Sequence, residues 1–162
     1  MAAVSFGLRL AYFSPSDPDF RTIYGGGGMF GGDALFSLSK SLDLWLDAGY
    51  FGKTGGLSYT LEETKLTLVP IGVGLRYRIL PGKVVPYVGA GVRYIFYGEK
   101  NLLGEINSGG VGFVGKAGLT VALSDHFGLD IQAAYSTCKM QPADFEFNVG
   151  GFEFGAGLVY SF

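Results

Sequence analysis

The most regular feature of the chain is an alternation of apolar residues with polar or very small ones, repeated in eight segments. Successive side chains of a β-strand point to opposite faces, so a period of two indicates strands with one apolar face. In the first segment Phe6, Leu8 and Leu10 share one face, and Gly7 and Arg9 share the other. The predicted strands are residues 3–13, 30–39, 43–52, 66–79, 86–97, 111–123, 127–137 and 150–162.

The connections between these segments alternate in length. The long ones are rich in Gly, Pro, Asp, Glu and Asn, whereas the short ones have the composition of tight turns. Long loops are predicted at 14–28, 53–65, 98–110 and 138–149, and short turns at 40–42, 80–85 and 124–126. Long loops at one end and short turns at the other are typical of outer-membrane barrels. The predicted fold is all-β, an eight-stranded antiparallel up-and-down transmembrane β-barrel that occupies residues 1–162 as a single domain.

The direction of the apolar face separates this fold from a soluble ligand-carrying barrel, which also alternates. The polar positions of the strands are mostly Gly, Ala and Ser with isolated charges, too few to cover a protein in water. The interior of an eight-stranded barrel is only just wide enough to be filled by side chains. Packing the large apolar side chains inside would overfill it, so the apolar face is predicted to contact lipid.

Aromatic residues on the apolar face gather near the strand ends. Two such belts are expected where amphipathic rings lie at the level of the lipid headgroups. The belt at the loop end contains Tyr12, Tyr50, Tyr94, Phe96, Phe113 and Tyr135, and the belt at the turn end contains Tyr77, Phe127, Tyr160 and Phe162.

Composition agrees with a membrane barrel and excludes several other classes. Only 16% of the 162 residues are charged, and no apolar run reaches the roughly 18 residues of a membrane helix. A net charge of −2 without a Lys/Arg cluster argues against nucleic-acid binding. The single cysteine, Cys138, excludes an internal disulfide, and neither a metal nor a cofactor is predicted. Strand alternation begins almost at once after Met1, so no signal peptide is recognised, and we expect a mature or recombinant form in which Met1 replaces the leader.

Charged residues on the polar face are predicted to lie inside the barrel. They are Arg9, Arg76, Arg78, Arg93 and Lys116 with Asp33, Asp47, Asp130 and Glu153. A buried charge is tolerated only when it is paired and hydrogen-bonded, so these residues are expected to form a salt-bridge network that plugs the interior. The alternative is a gated, weakly conducting pathway in which the pairs exchange partners.

Two stretches carry a resemblance to a known family. One is Leu68–Tyr77, followed after a turn by Pro86–Val92, and the other is the apolar alternation that ends on Phe162. With them the chain resembles the small outer-membrane barrels of the OmpA/OmpX type. The resemblance implies the outer membrane of a Gram-negative bacterium, without the periplasmic domain of OmpA and hence without peptidoglycan anchoring. It also implies an assembly signal read by the barrel-assembly machinery, formed by Phe154, Leu158, Tyr160 and Phe162.

Two glycine motifs are not interpreted as nucleotide sites. Gly26, Gly28 and Gly31 match G-x-G-x-x-G, but the βαβ context that this motif requires is absent, which favours glycines of a flexible loop. Gly52-Lys53-Thr54 has the end of a P-loop, but Asp47 stands where the first glycine is required.

No catalytic centre is predicted. Lipid A deacylases and palmitoyltransferases of this size use a His and a Ser near the outer half, whereas the only histidine, His126, lies in a short periplasmic turn without a His-x-Ser motif. Cys138 is expected to be a packed free thiol, and Trp45 to fill space near the periplasmic mouth.

Several apolar or aromatic residues fall in the predicted loops. They are Phe20, Tyr24, Tyr59, Leu102, Leu103, Phe145 and Phe147, with Arg21 among them. They could bind an extracellular ligand, but packing on one another or extension of the strands is favoured. The sequence therefore predicts a non-enzymatic structural or surface-interaction protein whose partners are outer-membrane lipid and the barrel-assembly machinery, with the loops as the candidate site for an extracellular ligand. The alternative is a passive channel for small or hydrophobic solutes.

Overall fold

The computed structural model describes residues 4–56, 63–141 and 146–162. Its elements are, in order, β1 (Val4–Pro15), α1 (Pro18–Tyr24), β2 (Gly27–Ser37), β3 (Leu42–Gly56), β4 (Glu63–Arg78), β5 (Val84–Asn101), β6 (Gly104–Ala122), β7 (Phe127–Thr137), β8 (Lys139–Met140), β9 (Phe147–Asn148) and β10 (Gly151–Ser161). The strands β1–β7 and β10 close into an antiparallel barrel, in which β10 pairs with β1 and β7, and β8 pairs with β9 as a separate short hairpin. The predicted eight-stranded barrel is confirmed.

Burial follows the alternation of the sequence. Leu8 on β1 is 76% exposed and Phe113 on β6 is 72% exposed, whereas Trp45 on β3 is 1% exposed. All ten aromatic residues of the predicted belts lie on the outer surface, with exposed fractions from 37% at Tyr160 to 72% at Phe113. A continuous apolar outer wall is unfavourable in water but favourable in contact with lipid chains. Closure of the barrel leaves no strand edge without a neighbouring strand.

The hairpin of β5 and β6 differs from the prediction of a long loop at 98–110. The two strands stay paired up to Asn101 opposite Gly104, which leaves only Leu102 and Leu103 in the turn. The prediction was wrong because this part of the hairpin is polar and rich in Gly, and strand pairing through the backbone does not require apolar alternation. For the same reason Gly27 and Gly28, expected in a loop, are the first residues of β2.

The loop predicted at 14–28 contains a helix that the sequence analysis missed. Asp17 caps α1, because its Oδ1 accepts hydrogen bonds from the amides of Asp19 (3.0 Å) and Phe20 (3.2 Å). Pro18 opens the helix, and Gly25, with φ of 64°, ends it. These start and stop signals are present in the sequence, but they enclose only seven residues. Within the part of the chain that is described, no helix is long and apolar enough to cross a membrane.

Interior glycines make room for the single tryptophan. Trp45 lies across β4 and β5, where a Cβ on Gly91 would come within 2.7 Å of the indole ring and 2.2 Å of the carbonyl oxygen of Val73. A Cβ on Gly74 would come within 2.6 Å of the same ring. Only glycine fits at these two positions, so Gly74 and Gly91 are packing partners of Trp45 rather than flexible points.

The ladder between β3 and β4 is interrupted once. It runs from Leu42 opposite Tyr77 to Ala48 opposite Ile71, and resumes at Phe51 opposite Leu68 without a change of register. Pro70, which is buried in the missing step, has no amide hydrogen to donate. The barrel wall is therefore locally weaker at this point than along its other seams.

Candidate functional site

Charged side chains fill the middle of the barrel and pair across its interior. The guanidinium of Arg93 donates to Glu153 Oε1 and, at 3.0 Å, to Asp47 Oδ2. Lys116 Nζ donates to the same Asp47 oxygen at 2.8 Å and lies 3.6 Å from the centre of the Trp45 ring. These four charged residues are at most 7% exposed. Because uncompensated charge is costly at such burial, the group is stable only as a complete set.

A second interior group lies on β1, β2 and β7. Arg9 Nη1 donates to Asp33 Oδ1 at 2.5 Å. Asp130, which the sequence predicted to pair with a cation, instead accepts hydrogen bonds from the hydroxyl groups of Tyr87 (2.9 Å) and Thr120 (2.8 Å). Hydrogen bonds from two hydroxyls satisfy a carboxylate without a salt bridge, which explains the difference from the prediction.

The periplasmic end of the interior is organised by Asp43, an acid that the sequence analysis left out of its predicted network. Its Oδ2 accepts from Arg76 Nε (3.0 Å) and Nη2 (2.8 Å), and Arg78 Nη2 lies 3.1 Å from its Oδ1. Ser37 Oγ also donates to this carboxylate at 3.1 Å. Asp43 was identifiable from the sequence, because it shares the inward face of β3 with Asp47.

With Asp43 included, the network described above contains five basic and five acidic side chains. Six salt bridges join members of this set within the described residues. The space left among Asp33, Trp45, Lys116 and Asp130 is a cavity of about 10 Å³, enough for about one water molecule. Balanced charge and close packing leave this section of the barrel filled.

Above the charged section, toward the long-loop end, the interior becomes apolar. This outer apolar cluster consists of Phe13, Phe20, Tyr24, Met29, Phe51, Leu66, Leu68, Ile95, Tyr97, Cys138, Met140 and Val149. Its members are at most 7% exposed. The expectation that the inward face carries only small residues and charges was wrong at this end. The missed signal is that Leu66 and Leu68 have the same parity as Gly72 and Arg76 on β4, and are therefore inward-facing.

Helix α1 contributes to this cluster and is fixed over the barrel end. Phe20 and Tyr24 point into the cluster with their ring centres 5.0 Å apart. The N-cap residue Asp17 also accepts a hydrogen bond at 3.4 Å from the amide of Asn148 on β9. Burial, together with the neighbouring carboxylate of Glu99, raises the pKa of Tyr24 to about 12. The helix therefore packs on β1 and β3 and adds neutral side chains to the interior at the extracellular end.

The remaining loop residues have different positions. Phe147 is partly buried against the outer apolar cluster, whereas Arg21 is exposed. Leu102 and Leu103 are 81% and 92% exposed. Tyr59 and Phe145, also predicted to lie in loops, are outside the described residues.

The residues weighed for catalysis do not form a catalytic arrangement. His126 is exposed in the turn before β7, and its Nδ1 lies 3.0 Å from the carbonyl oxygen of Ser161 rather than from a hydroxyl group. The hydroxyl group of Ser161 is hydrogen-bonded to that of Ser5 at 2.9 Å. Cys138 is buried, and this burial raises the pKa of its thiol. Among residues 4–56, 63–141 and 146–162, no group of His, Cys, Asp or Glu could hold a metal ion.

Solved structures with the same architecture are outer-membrane barrels. Neisserial surface protein A is 20% identical over 99% of this chain and 98% of its own, with a TM-score of 0.76. OprG of Pseudomonas aeruginosa is 16% identical over 99% and 97%, with a TM-score of 0.75. Ail, the attachment invasion locus protein of Yersinia pestis, is 14% identical over 98% and 99%, with a TM-score of 0.57. At these identities the likeness concerns the fold. No curated protein sequence matches the chain.

The family of the outer membrane protein beta-barrel domain matches residues 2–162. This match spans every element of the barrel and agrees with the lipid-facing wall and with the salt bridges buried inside it. The chain belongs to the outer membrane protein beta-barrel domain family, and it is a small barrel of the Gram-negative outer membrane.

Proposed function

We propose that this protein is a closed, non-enzymatic barrel that presents its extracellular end to partners outside the cell. The observation that carries the proposal is the filled interior. The salt-bridge network occupies the middle and the periplasmic end, and the outer apolar cluster lies above it. Two consecutive obstructions of different chemistry oppose passage of both ions and water. What remains for function is the extracellular part, where loops on a rigid scaffold usually carry binding.

Conductance of the refolded protein in a planar lipid bilayer tests this proposal. We expect a silent bilayer, while heat-modifiable migration on a gel shows that the barrel has folded. A mock-refolded sample serves as the control for leakage. Stable, discrete openings above that control would contradict the closed barrel and favour a channel.

The charge at the extracellular end bears on the kind of partner. The described residues there are nearly balanced, with Asp17, Asp19, Glu63, Glu99, Glu105 and Glu146 against Arg21, Lys53, Lys65, Lys100 and Lys139. Ail has been solved in complex with the heparin analogue sucrose octasulfate. A polyanion binds where basic side chains cluster, and the described residues at this end carry no basic excess. We therefore infer that its extracellular partner is recognised by other means than a polyanion.

A second candidate function is permeation of hydrophobic solutes, and one observation favours it. The outer apolar cluster lies next to the interrupted ladder at Pro70, so an apolar interior adjoins the weakest point of the wall. The test is the rate at which the hydrophobic dye N-phenylnaphthylamine crosses the outer membrane of cells that produce the protein. A rate above that of cells without the protein would favour this candidate, and equal rates would remove it.

A further inference from the structure

The β5–β6 hairpin ends in two leucines that the fold does not require. Leu102 and Leu103, here called the two-leucine tip, form the two-residue turn between Asn101 and Gly104. The turn is stabilised by its neighbours, because Asn101 Oδ1 accepts a hydrogen bond from the amide of Leu103 at 2.9 Å and Gly104 adopts a φ of 144°. Turns of this kind favour Gly, Asn and Asp, so the leucine side chains, 81% and 92% exposed, contribute nothing to the turn itself.

The outer face of the hairpin changes chemistry twice along its length. Phe96 and Phe113 are the outward aromatic residues of β5 and β6 at the loop end of the wall. On β6 the apolar wall continues past Phe113 to Val111, which is 68% exposed opposite Tyr94. Beyond Phe96 and Val111 the outward positions are polar or small, namely Gly98, Lys100, Glu105, Asn107 and Gly109. The apolar tip follows after this polar stretch. It is therefore a separate apolar surface and not the upper margin of the lipid-facing wall.

The distance to the tip agrees with this separation. Six residues lead from Phe96 to Leu102, which is about 20 Å along a strand and about 14 Å of height at a tilt near 45°. The headgroup layer on each side of a bilayer is only about 5–7 Å thick. The two-leucine tip thus lies beyond the protein's own bilayer, and an apolar environment for it must come from outside the cell.

We propose that the two-leucine tip inserts into the lipid bilayer of another membrane, so that the barrel acts as a membrane-docking protein. This inference rests on the proposed function and names the partner of the extracellular end. A stable protein–protein interface needs about 800 Å² from each partner, far more than the two leucines and the neighbouring half-exposed Ile106 offer. A bilayer, in contrast, accepts single side chains, and each buried leucine favours the bound state by a factor on the order of ten to a hundred. Many barrels on one cell surface would multiply this effect.

The charges beside the tip indicate which lipid suffices. Lys100 on β5 lies opposite Glu105 on β6 and also opposite Lys65 on β4, and Glu63 lies on the same face of β4 as Lys65. The two basic and two acidic side chains near the turn therefore balance. A tip that relied on anionic lipid would carry a basic excess at this level. We therefore expect insertion into a zwitterionic bilayer without a requirement for anionic headgroups.

The experiment uses the full chain in surface-immobilised proteoliposomes and fluorescent, protein-free phosphatidylcholine vesicles as the probe. Captured vesicles are counted for the wild type, for the double variant Leu102→Asn with Leu103→Asn, and for Leu80→Asn. Leu80 is the matched control, because it is 59% exposed in the turn after β4 at the opposite end of the barrel. Heat-modifiable migration establishes that each variant has folded. The variant Leu103→Trp tests whether a different apolar side chain at the tip supports vesicle capture.

We expect the double variant to capture at least tenfold fewer vesicles than the wild type, while Leu80→Asn and Leu103→Trp retain capture. Equal capture by the double variant and the wild type, or no capture by the wild type above protein-free liposomes, would overturn the proposal. Capture of cell-derived membranes but not of phosphatidylcholine vesicles, lost when those membranes are treated with trypsin, would indicate a protein partner and would also overturn the proposal. The proposed closed barrel is tested independently in the same proteoliposomes. If the barrel were open, trapped ions would leak out whether or not vesicles were captured.

Discussion

At the scale of single residues, the interior depends on side chains that hold several partners at once. Arg93 on β5 joins Asp47 on β3 to Glu153 on β10, strands on different sides of the barrel. Asp43 does the same for Arg76 and Arg78 at the periplasmic end. Removal of a residue that bridges two partners takes a charge partner from both at once, so we expect these positions to be the most sensitive of the network.

The substitution Arg93→Ala should lower the free energy of unfolding by about 3–5 kcal/mol, because it leaves the buried carboxylate of Glu153 without its cation and Asp47 with Lys116 alone. The measurement is urea-induced unfolding of the protein in lipid vesicles, followed by the fluorescence of the single Trp45. Lys139→Ala is the matched control, since the Lys139–Glu146 pair is largely exposed and should contribute no measurable stability. An Arg93→Ala protein as stable as this control would show that the pairing does not hold the barrel together.

Cys138 offers a test of the outer apolar cluster at a single atom. Burial raises the pKa of its thiol, so little thiolate forms at neutral pH and reagents cannot reach it. We expect slow alkylation by a charged maleimide in the folded barrel and complete alkylation after heating in detergent, both measured by mass spectrometry. Rapid labelling of the folded form would mean that the cluster opens in solution.

At the scale of elements, α1 is held differently from the barrel strands. The strands share continuous ladders, whereas α1 is fixed by the side chains of Phe20 and Tyr24 and by the hydrogen bonds of Asp17. A seven-residue helix is not stable by itself, so its position depends on these contacts. Release of α1 should therefore be possible without loss of the barrel.

The substitution Phe20→Ala should detach α1 and speed tryptic cleavage after Arg21, which is exposed within the helix. The barrel should remain folded, because its ladders do not involve α1. Ile23→Ala is the control on the same helix, since Ile23 is already 43% exposed. Digestion time courses are run on gels with unheated and heated samples. The fragment pattern reports cleavage after Arg21, and the heat-dependent shift reports whether the barrel is still folded. Equal cleavage of the two variants would indicate that Phe20 does not anchor the helix.

At the scale of the whole molecule, exposed leucines fall into two environments. Leu8 is 76% exposed on the wall between the two aromatic belts, and Leu103 is 92% exposed at the tip of the β5–β6 hairpin. Only the first faces the hydrocarbon layer in a membrane barrel. Exposure alone does not distinguish them, but their position relative to the bilayer does.

We expect Leu8→Arg to lower the stability of the inserted barrel by about 2–4 kcal/mol, the usual cost of arginine near the bilayer midplane. Leu103→Arg should insert and fold like the wild type, because the tip lies outside the bilayer. Refolding yield into lipid vesicles, read from heat-modifiable migration, measures both. If the two variants lost stability equally, the assignment of wall and tip would be incorrect.

The alternation of apolar and small residues was sufficient to predict the strands of the wall and the outward belts. Near the loop ends the same reasoning failed at particular residues. Gly27 begins β2, and the polar residues from Gly98 to Asn101 end β5. Both stretches form strands without an apolar face, because a ladder depends on backbone pairing with a neighbouring strand. The role of Leu68 was missed because inward residues were expected to be small or charged throughout.

The sequence by itself determined the class, the number of membrane strands and the side of each strand that meets lipid. It could do so because side-chain direction in a strand has a strict period of two, and because lipid accepts an uncharged surface only. The tertiary structure alone decided which charges pair, that Asp43 completes the set and that Asp130 is held by hydroxyl groups. It also decided that α1 packs Phe20 and Tyr24 into an apolar interior at the extracellular end. These features depend on distances across the barrel between residues far apart in the chain, and no local pattern encodes such distances.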